Sequence, residues 1–430
     1  VSAHNRRRFL AGSALAAASA VPVLAGSASA SNTGPTGSAR RQLGGTIRTG
    51  ADVLAAQRWQ PFSGTRLGVF ANPTAVLADL THIVDDLVAA DIRPVAAFGP
   101  EHGFRGTDQA GGSEGDYVDP RTQIPVYDAY QVTVDDLVRM YRKANLDTVV
   151  FDIAGVGARF YTYMWTMYLA MHAAAKTGAR FVVLDRPNPV GGRADGPQLD
   201  PEFASFVGMK PIVQQPGMTH GELAKLFAAK FLPEEPGSPE LSALDVIEVE
   251  GWRPDQLFAD TGLPWVPPSP NMPSPETALS YPGTCLFEGT LLAEGRGTTR
   301  PFETIGAPGI DWRYAEALNE LDLPGVRFRE AYFVPTFGKF AEELCGGVQL
   351  HITEPAEFTA IPTAIAMIVT AKRLHPDIFG WRDDNMIDKL FGSARLRSQV
   401  DAGADTAEIV GSWQAELDTF RTEREPFLSY

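Results

Sequence analysis

Over the first half of the chain, apolar residues fall into short unbroken runs separated by amphipathic stretches. Residues 66–71, 93–98, 146–153 and 180–184 read as strands, while residues 76–90 and 161–176 carry apolar positions at helical spacing. Continuous apolar strands alternating with helices predict a parallel sheet covered on both faces, a Rossmann-like α/β arrangement. No G-x-G-x-x-G follows the first strand, so nothing points to a dinucleotide and no cofactor is expected. Further on, Thr219-His-Gly-Glu222 predicts a capping box opening a helix over 223–229, with His220 in a structural role. Residues 262–275 are too rich in proline for regular structure and read as a pocket wall, with Trp265, Asn271 and Met272 near its mouth.

Polar residues collect where the apolar runs end. Asn72, Glu101 with His102, Asp152, and Asp185 with Asn188 stand at the ends of four different runs, and a parallel sheet brings such ends to one edge, where ligands bind in open α/β folds. The segment Phe98-Gly-Pro-Glu-His-Gly-Phe-Arg-Gly106 is the most informative, since its glycines and proline allow a tight loop that presents Glu101 and His102. His102 reads as an orienter of Glu101 rather than a metal ligand, because no second histidine stands at ligand spacing.

The chain has 430 residues, more than one core normally covers. It divides into an expected signal peptide (1–30), a Ser/Gly/Thr-rich leader (31–45), a Rossmann-like catalytic domain (46–217) and a second α/β or α+β domain (218–430) that completes an active-site cleft between the two. Arg6-Arg-Arg-Phe-Leu10, the small-residue apolar stretch 11–25 and Ala28-Ser-Ala30 fit a twin-arginine export signal with its cleavage site. Ser27 stands where a lipidated cysteine would be needed, so a free product in the extracellular or cell-wall space is expected, without a stable membrane anchor. The formal net charge of -15 disfavours nucleic acid and anionic surfaces as partners. Cys285 and Cys345 are the only cysteines. They could pair after export, although a twin-arginine substrate folds in the reducing cytoplasm first.

Five segments together resemble one family. They are the Glu101 loop, Phe151-Asp-Ile-Ala-Gly-Val-Gly-Ala-Arg-Phe-Tyr-Thr-Tyr-Met-Trp-Thr166, Leu184-Asp-Arg-Pro-Asn-Pro-Val-Gly-Gly192, Pro270-Asn-Met-Pro273, and Glu288-Gly-Thr290 with Glu294-Gly-Arg-Gly-Thr-Thr-Arg-Pro-Phe-Glu303. From about Thr46 to the C-terminus the chain resembles the NamZ-type exo-β-N-acetylmuramidases, long catalogued as a bacterial domain of unknown function. The resemblance implies a glycoside hydrolase that removes terminal N-acetylmuramic acid from the non-reducing end of peptidoglycan fragments, with muramyl saccharides as its partners.

That chemistry needs a proton donor and, on the other face of the sugar, a nucleophile, a base or an orienter of the substrate's own acetamido group. Glu101 is the expected acid. Glu114 and Asp152 lead as partners, with Glu294 behind them. The lactyl carboxylate distinguishes N-acetylmuramic acid from N-acetylglucosamine, and a guanidinium recognises a carboxylate bidentately, which nominates Arg296 or Arg300, with Arg159 as a third candidate. Asn72, His102, Tyr161, Asn188 and Asn271 complete the expected substrate contacts. Two other readings stay open: a metal-dependent wall hydrolase or amidase using Glu101, His102, Asp152 and Asp185, and a non-catalytic muropeptide-binding protein.

Overall fold

The computed structural model describes residues 47–430, so the expected signal peptide and leader lie outside the described residues. In chain order the first strands are β1 (Leu67–Ala71), β2 (Ala96–Gly99), β3 (Tyr117–Val118), β4 (Pro125–Asp128), β5 (Thr148–Asp152) and β6 (Arg180–Leu184). They are followed by β7 (Asp195–Gln198), β8 (Val213–Gln215) and β9 (Leu244–Ile247). Seven of these form one sheet in the order β3-β4-β2-β1-β5-β6-β9. Only the β3–β4 edge pair is antiparallel. Strands β1, β2 and β5 are buried throughout, which is what their unbroken apolar runs require. Val69, Phe70, Val149, Val150 and Phe151 are all fully buried, and each contributes about 1.5–3 kcal/mol of transfer free energy.

The helix Tyr163–Thr177 crosses from β5 to β6 and ends at Gly178 in the left-handed conformation. The helix expected over 76–90 is shorter, at Ile83–Ala89. Asp79 Oδ1 accepts the Thr81 N–H, a local turn that competes with helix, and Val76 bridges to His82 across it. His82 then caps the helix by accepting the Val84 N–H through Nδ1.

Strands β7 and β8 pair as a small antiparallel sheet of their own, and the boundary expected at 218 does not separate the seven-stranded sheet from the rest. Strand β9 joins β6 in parallel after the helix His220–Leu226, so the first sheet draws on residues well past that point. The smaller α+β region is built on β10 (Thr304–Ala307), β11 (Val326–Phe333) and β12 (Cys345–Ile352), antiparallel in the order β10-β12-β11. Helices Arg313–Glu320 and Ala360–Leu374 bury their apolar faces there. One core runs without interruption from Phe70 and Phe151 to Ile365 and Phe420. Cys285 and Cys345 are both buried and unpaired. Among the described residues no helix is long and apolar enough to cross a membrane.

Candidate active site

A cavity of about 510 Å³ opens where the loop after β2 meets the glycine-rich segment that follows the helix Pro275–Thr284. Glu101, His102, Tyr130, Tyr161, Thr162 and Phe206 line it from the large sheet's side. Tyr281, Glu288, Glu294, Arg296, Lys339 and Arg382 line it from the smaller region. Four aromatic rings tie the two sets together: Phe160 and Tyr161 lie 5.4 and 5.6 Å from Tyr281, which lies 4.7 Å from Phe302.

The Glu101 loop is held by its own backbone and by Glu114. His102 takes a left-handed conformation, φ 72°, donates its N–H to Gly112 O and sets Nδ1 3.0 Å from Asp108 O. Glu114 accepts the N–H groups of Phe104, Arg105 and Thr107 and the Tyr117 hydroxyl. Gly103, at φ 91°, is required here, since a Cβ would sit 2.2 Å from the Glu114 side chain. Glu114 therefore organises the loop and does not line the cavity, contrary to its expected catalytic role. Glu101 Oε1 accepts the Gly111 N–H at 2.9 Å, and Oε2 meets the Thr162 hydroxyl at 2.7 Å. No cation pairs with Glu101 among the described residues. Burial, reinforced by the nearby Glu101 charge, pushes the Tyr130 phenol up to about 12.

Charge on the other side is tightly paired. Arg296 Nη2 donates to Glu288 Oε1 at 2.5 Å, its Nε lies 3.4 Å from Glu294 Oε1, and its guanidinium sits 5.0 Å from the Phe302 ring centroid. Lys339 donates to Phe287 O and Leu292 O at 2.8 and 2.9 Å and lies 3.0 Å from Glu294 Oε2. Burial raises the Glu288 pKa, with Glu294 adding to the effect and Arg296 opposing it.

Several expected site residues are elsewhere. Asp152 is fully buried and accepts Arg186 Nε and Nη2 at 2.5 and 2.9 Å, so both its oxygens are occupied beneath the sheet edge. Arg159, also fully buried, donates to the backbone oxygens of Pro197, Ile212 and Leu390, and among the described residues no carboxylate pairs with it. Burial lowers its pKa to about 9, which still leaves a cation at neutral pH. It is a staple between the two regions, not a sugar contact. Asn188 bonds Met218 O and the Val190 N–H, and Asn72 Oδ1 accepts from Thr74. Arg300 pairs with Glu303 and borders a different depression, with Gln349 and His351.

Asn271 is buried next to Met272 without facing the cavity, and Trp265 lines a separate small crevice. Asp185 accepts from Thr219, Gly221 and Tyr430, and burial raises its pKa to about 6. His220 bonds Ile153 O at 2.8 Å behind the Thr219 capping box, the structural role expected of it.

Of the expected residues, the structure brings together Glu101, His102, Tyr161, Glu294 and Arg296. It adds Glu288, which lies in one of the family-like segments but follows no strand end and carries no spacing that marks it. Lys339, Arg382, Tyr130 and Tyr281 also line the cavity, and no motif or periodicity marked them. Among the described residues no group of three or more His, Cys, Asp or Glu is arranged to hold a metal ion. The four ligands of the metal-hydrolase reading do not share one site, because Asp152 and Asp185 are bonded elsewhere.

The chain matches the N-terminal model of the exo-β-N-acetylmuramidase NamZ over residues 67–276 and the C-terminal model over residues 279–430. It is 44% identical over 387 residues to the peptidoglycan β-N-acetylmuramidase NamZ of Bacillus subtilis (strain 168), covering 89% of this chain and 91% of that protein. Crystal structures of two DUF1343 family proteins from Bacteroides fragilis NCTC 9343 are similar. One has a TM-score of 0.81 at 31% identity, covering 89% of this chain and 99% of its own. The other has a TM-score of 0.71 at 28% identity, covering 90% and 99%. Matched along nearly the whole described length, by both family models in order and by a relative 44% identical over 89% of the chain, the chain belongs to the NamZ exo-β-N-acetylmuramidase family.

Proposed function

We propose that the 510 Å³ cavity is where this exo-β-N-acetylmuramidase, a glycoside hydrolase, releases terminal N-acetylmuramic acid from peptidoglycan fragments. The observation that carries the assignment is the state of the three lining carboxylates. Glu288 and Glu294 are both engaged with Arg296 or Lys339, whereas Glu101 has only neutral partners. The acid must be free to meet the leaving oxygen, and ion pairs hold Glu288 and Glu294 to their own wall, even though burial raises the Glu288 pKa. The Thr162 hydroxyl can donate to ionised Glu101 or accept from the protonated form, so both states of the acid are accommodated.

Arg296 is the selector of the lactyl carboxylate in this reading. Its Nε and Nη2 are fixed by Glu294 and Glu288, and among the described residues no acceptor is bonded to Nη1. A guanidinium held rigid on one edge presents the other with little loss of side-chain entropy. The cleft between the two regions, the export of the protein by the twin-arginine route and its work outside the cytoplasm belong to the same proposal.

The test is Glu101→Gln, which keeps shape and removes the titratable proton. Turnover of a muramyl-terminated disaccharide should fall by about 10² or more with binding retained. Near-normal turnover would remove Glu101 from the role.

A further inference from the structure

Beside Glu101 the cavity wall carries two aromatic rings that the fold does not need. Tyr130 and Phe206 meet edge to face with centroids 5.5 Å apart, and both line the cavity half-buried. Neither belongs to any apolar cluster of the core among the described residues, although Ala129, Val207 and Met209 beside them pack into or against one. Phe206 stands at the tip of a tight turn, where Ser205 and Gly208 exchange backbone hydrogen bonds of 2.8 and 3.0 Å. Such tips are ordinarily filled by Gly, Pro, Asn, Asp or Ser, so a phenylalanine there, left half in solvent, has no folding reason.

Tyr130 follows β4 as Glu101 follows β2, and the Ala129 N–H donates to Gly99 O at 2.8 Å, which ties the two strand ends together. The Tyr130 N–H is held by Asp128 Oδ1 at 3.0 Å, and the hydroxyl accepts from the Gln131 amide at 3.1 Å. Chemistry thus divides the cavity. The smaller region presents Arg296, Lys339 and Arg382 with two carboxylates, whereas next to Glu101 the large sheet's side presents Tyr130, Phe206 and Val207, without charge. A terminal sugar bearing a lactyl carboxylate matches the charged side. The proton donor meets the oxygen that joins this sugar to the next, so the next sugar lies past Glu101, away from Arg296. It carries no charge, and the C–H face of a pyranose packs on a flat aromatic ring.

We propose that Phe206 and Tyr130 seat the leaving sugar, an uncharged pyranose laid with its apolar face on the Phe206 ring and a hydroxyl within reach of the Tyr130 phenol. This rests on the muramidase reading of the cavity. The pair determines specificity on the leaving side: a muramyl glycoside with a ring at this position is held for cleavage more tightly than the terminal sugar alone.

Binding in the Glu101→Gln background tests the seat apart from the chemistry. By titration calorimetry, a disaccharide of N-acetylmuramic acid on N-acetylglucosamine should bind about 10-fold or more tightly than free N-acetylmuramic acid. Adding Phe206→Ala should erase most of that margin and Tyr130→Leu should reduce it, whereas Phe206→Tyr keeps the flat face and should keep the margin. Melting temperatures should stay close to that of Glu101→Gln, because Phe206 lies outside the core. Equal affinity for the two sugars in Glu101→Gln, or a margin that survives Phe206→Ala, overturns the inference and leaves the muramidase reading intact. So does a margin lost equally in Phe206→Ala and Phe206→Tyr, which would assign Phe206 to the shape of the turn. Failure of Glu101→Gln to bind either sugar would overturn both.

Discussion

Replacing Arg159 by methionine separates a structural staple from a sugar contact. The side chain is fully buried, and its guanidinium makes three hydrogen bonds of 2.8–2.9 Å to the backbone oxygens of Pro197, Ile212 and Leu390. Methionine fills most of the volume but leaves three carbonyls without donors. Hydrogen bonds from a charged group are worth about 1.5–3 kcal/mol each, and partial relaxation recovers some of this, so the loss should be on the order of 4–6 kcal/mol. For a chain of this size that corresponds to a fall of about 5–7 °C in melting temperature. The assay pairs thermal unfolding followed by near-ultraviolet circular dichroism with kcat/KM for a muramyl substrate at 20 °C, below the transition. The expected result is a large drop in melting temperature with kcat/KM within about threefold of wild type. An unchanged melting temperature with a collapsed kcat/KM would place Arg159 on the substrate and not on the scaffold.

Arg296→Lys keeps charge but loses the planar fork, so kcat/KM for the muramyl substrate should fall about 10-fold or more, with a much smaller effect on a matched N-acetylglucosaminyl substrate. Arg300→Lys should leave that ratio unchanged, because Arg300 borders another depression; parallel losses from both changes would assign them to loop structure. His82 and His220 are buried, with pKa values lowered to about 4 mainly by burial, so the unfolded chain binds protons on them that the folded chain does not as pH falls below 6.5. Stability should therefore drop progressively between pH 6.5 and 4, and His220→Gln should reduce the slope by up to one proton in urea unfolding at pH 7, 5.5 and 4.5. An unaltered slope would contradict the buried neutral imidazole.

The parallel sheet was legible because β1, β2, β5 and β6 are buried on both faces, and such strands write themselves as unbroken apolar runs. Strand β9 is only partly buried and follows the point where the pattern changes, so its return to the sheet was not visible. The strand ends did gather at one edge, but position along a strand does not say which way a side chain is bonded. Asp152 and Asp185 brace the scaffold there, while Glu101 escapes into a loop that Glu114 holds open. Lys339 and Arg382 reach the cavity from segments more than thirty residues beyond the last motif, by tertiary packing that no local spacing encodes.

Everything proposed for the site rests on the cavity cleaving a terminal muramyl glycoside. The most direct test is to incubate the purified protein with a disaccharide bearing N-acetylmuramic acid at its non-reducing end, and in parallel with one bearing N-acetylglucosamine there, and to follow the products by mass spectrometry. Time-dependent release of free N-acetylmuramic acid is expected from the first and little release from the second, with release from the first reduced about 10²-fold or more in Glu101→Gln. An intact muramyl disaccharide after prolonged incubation with the wild-type protein, or equal cleavage of both disaccharides, would contradict the muramidase reading.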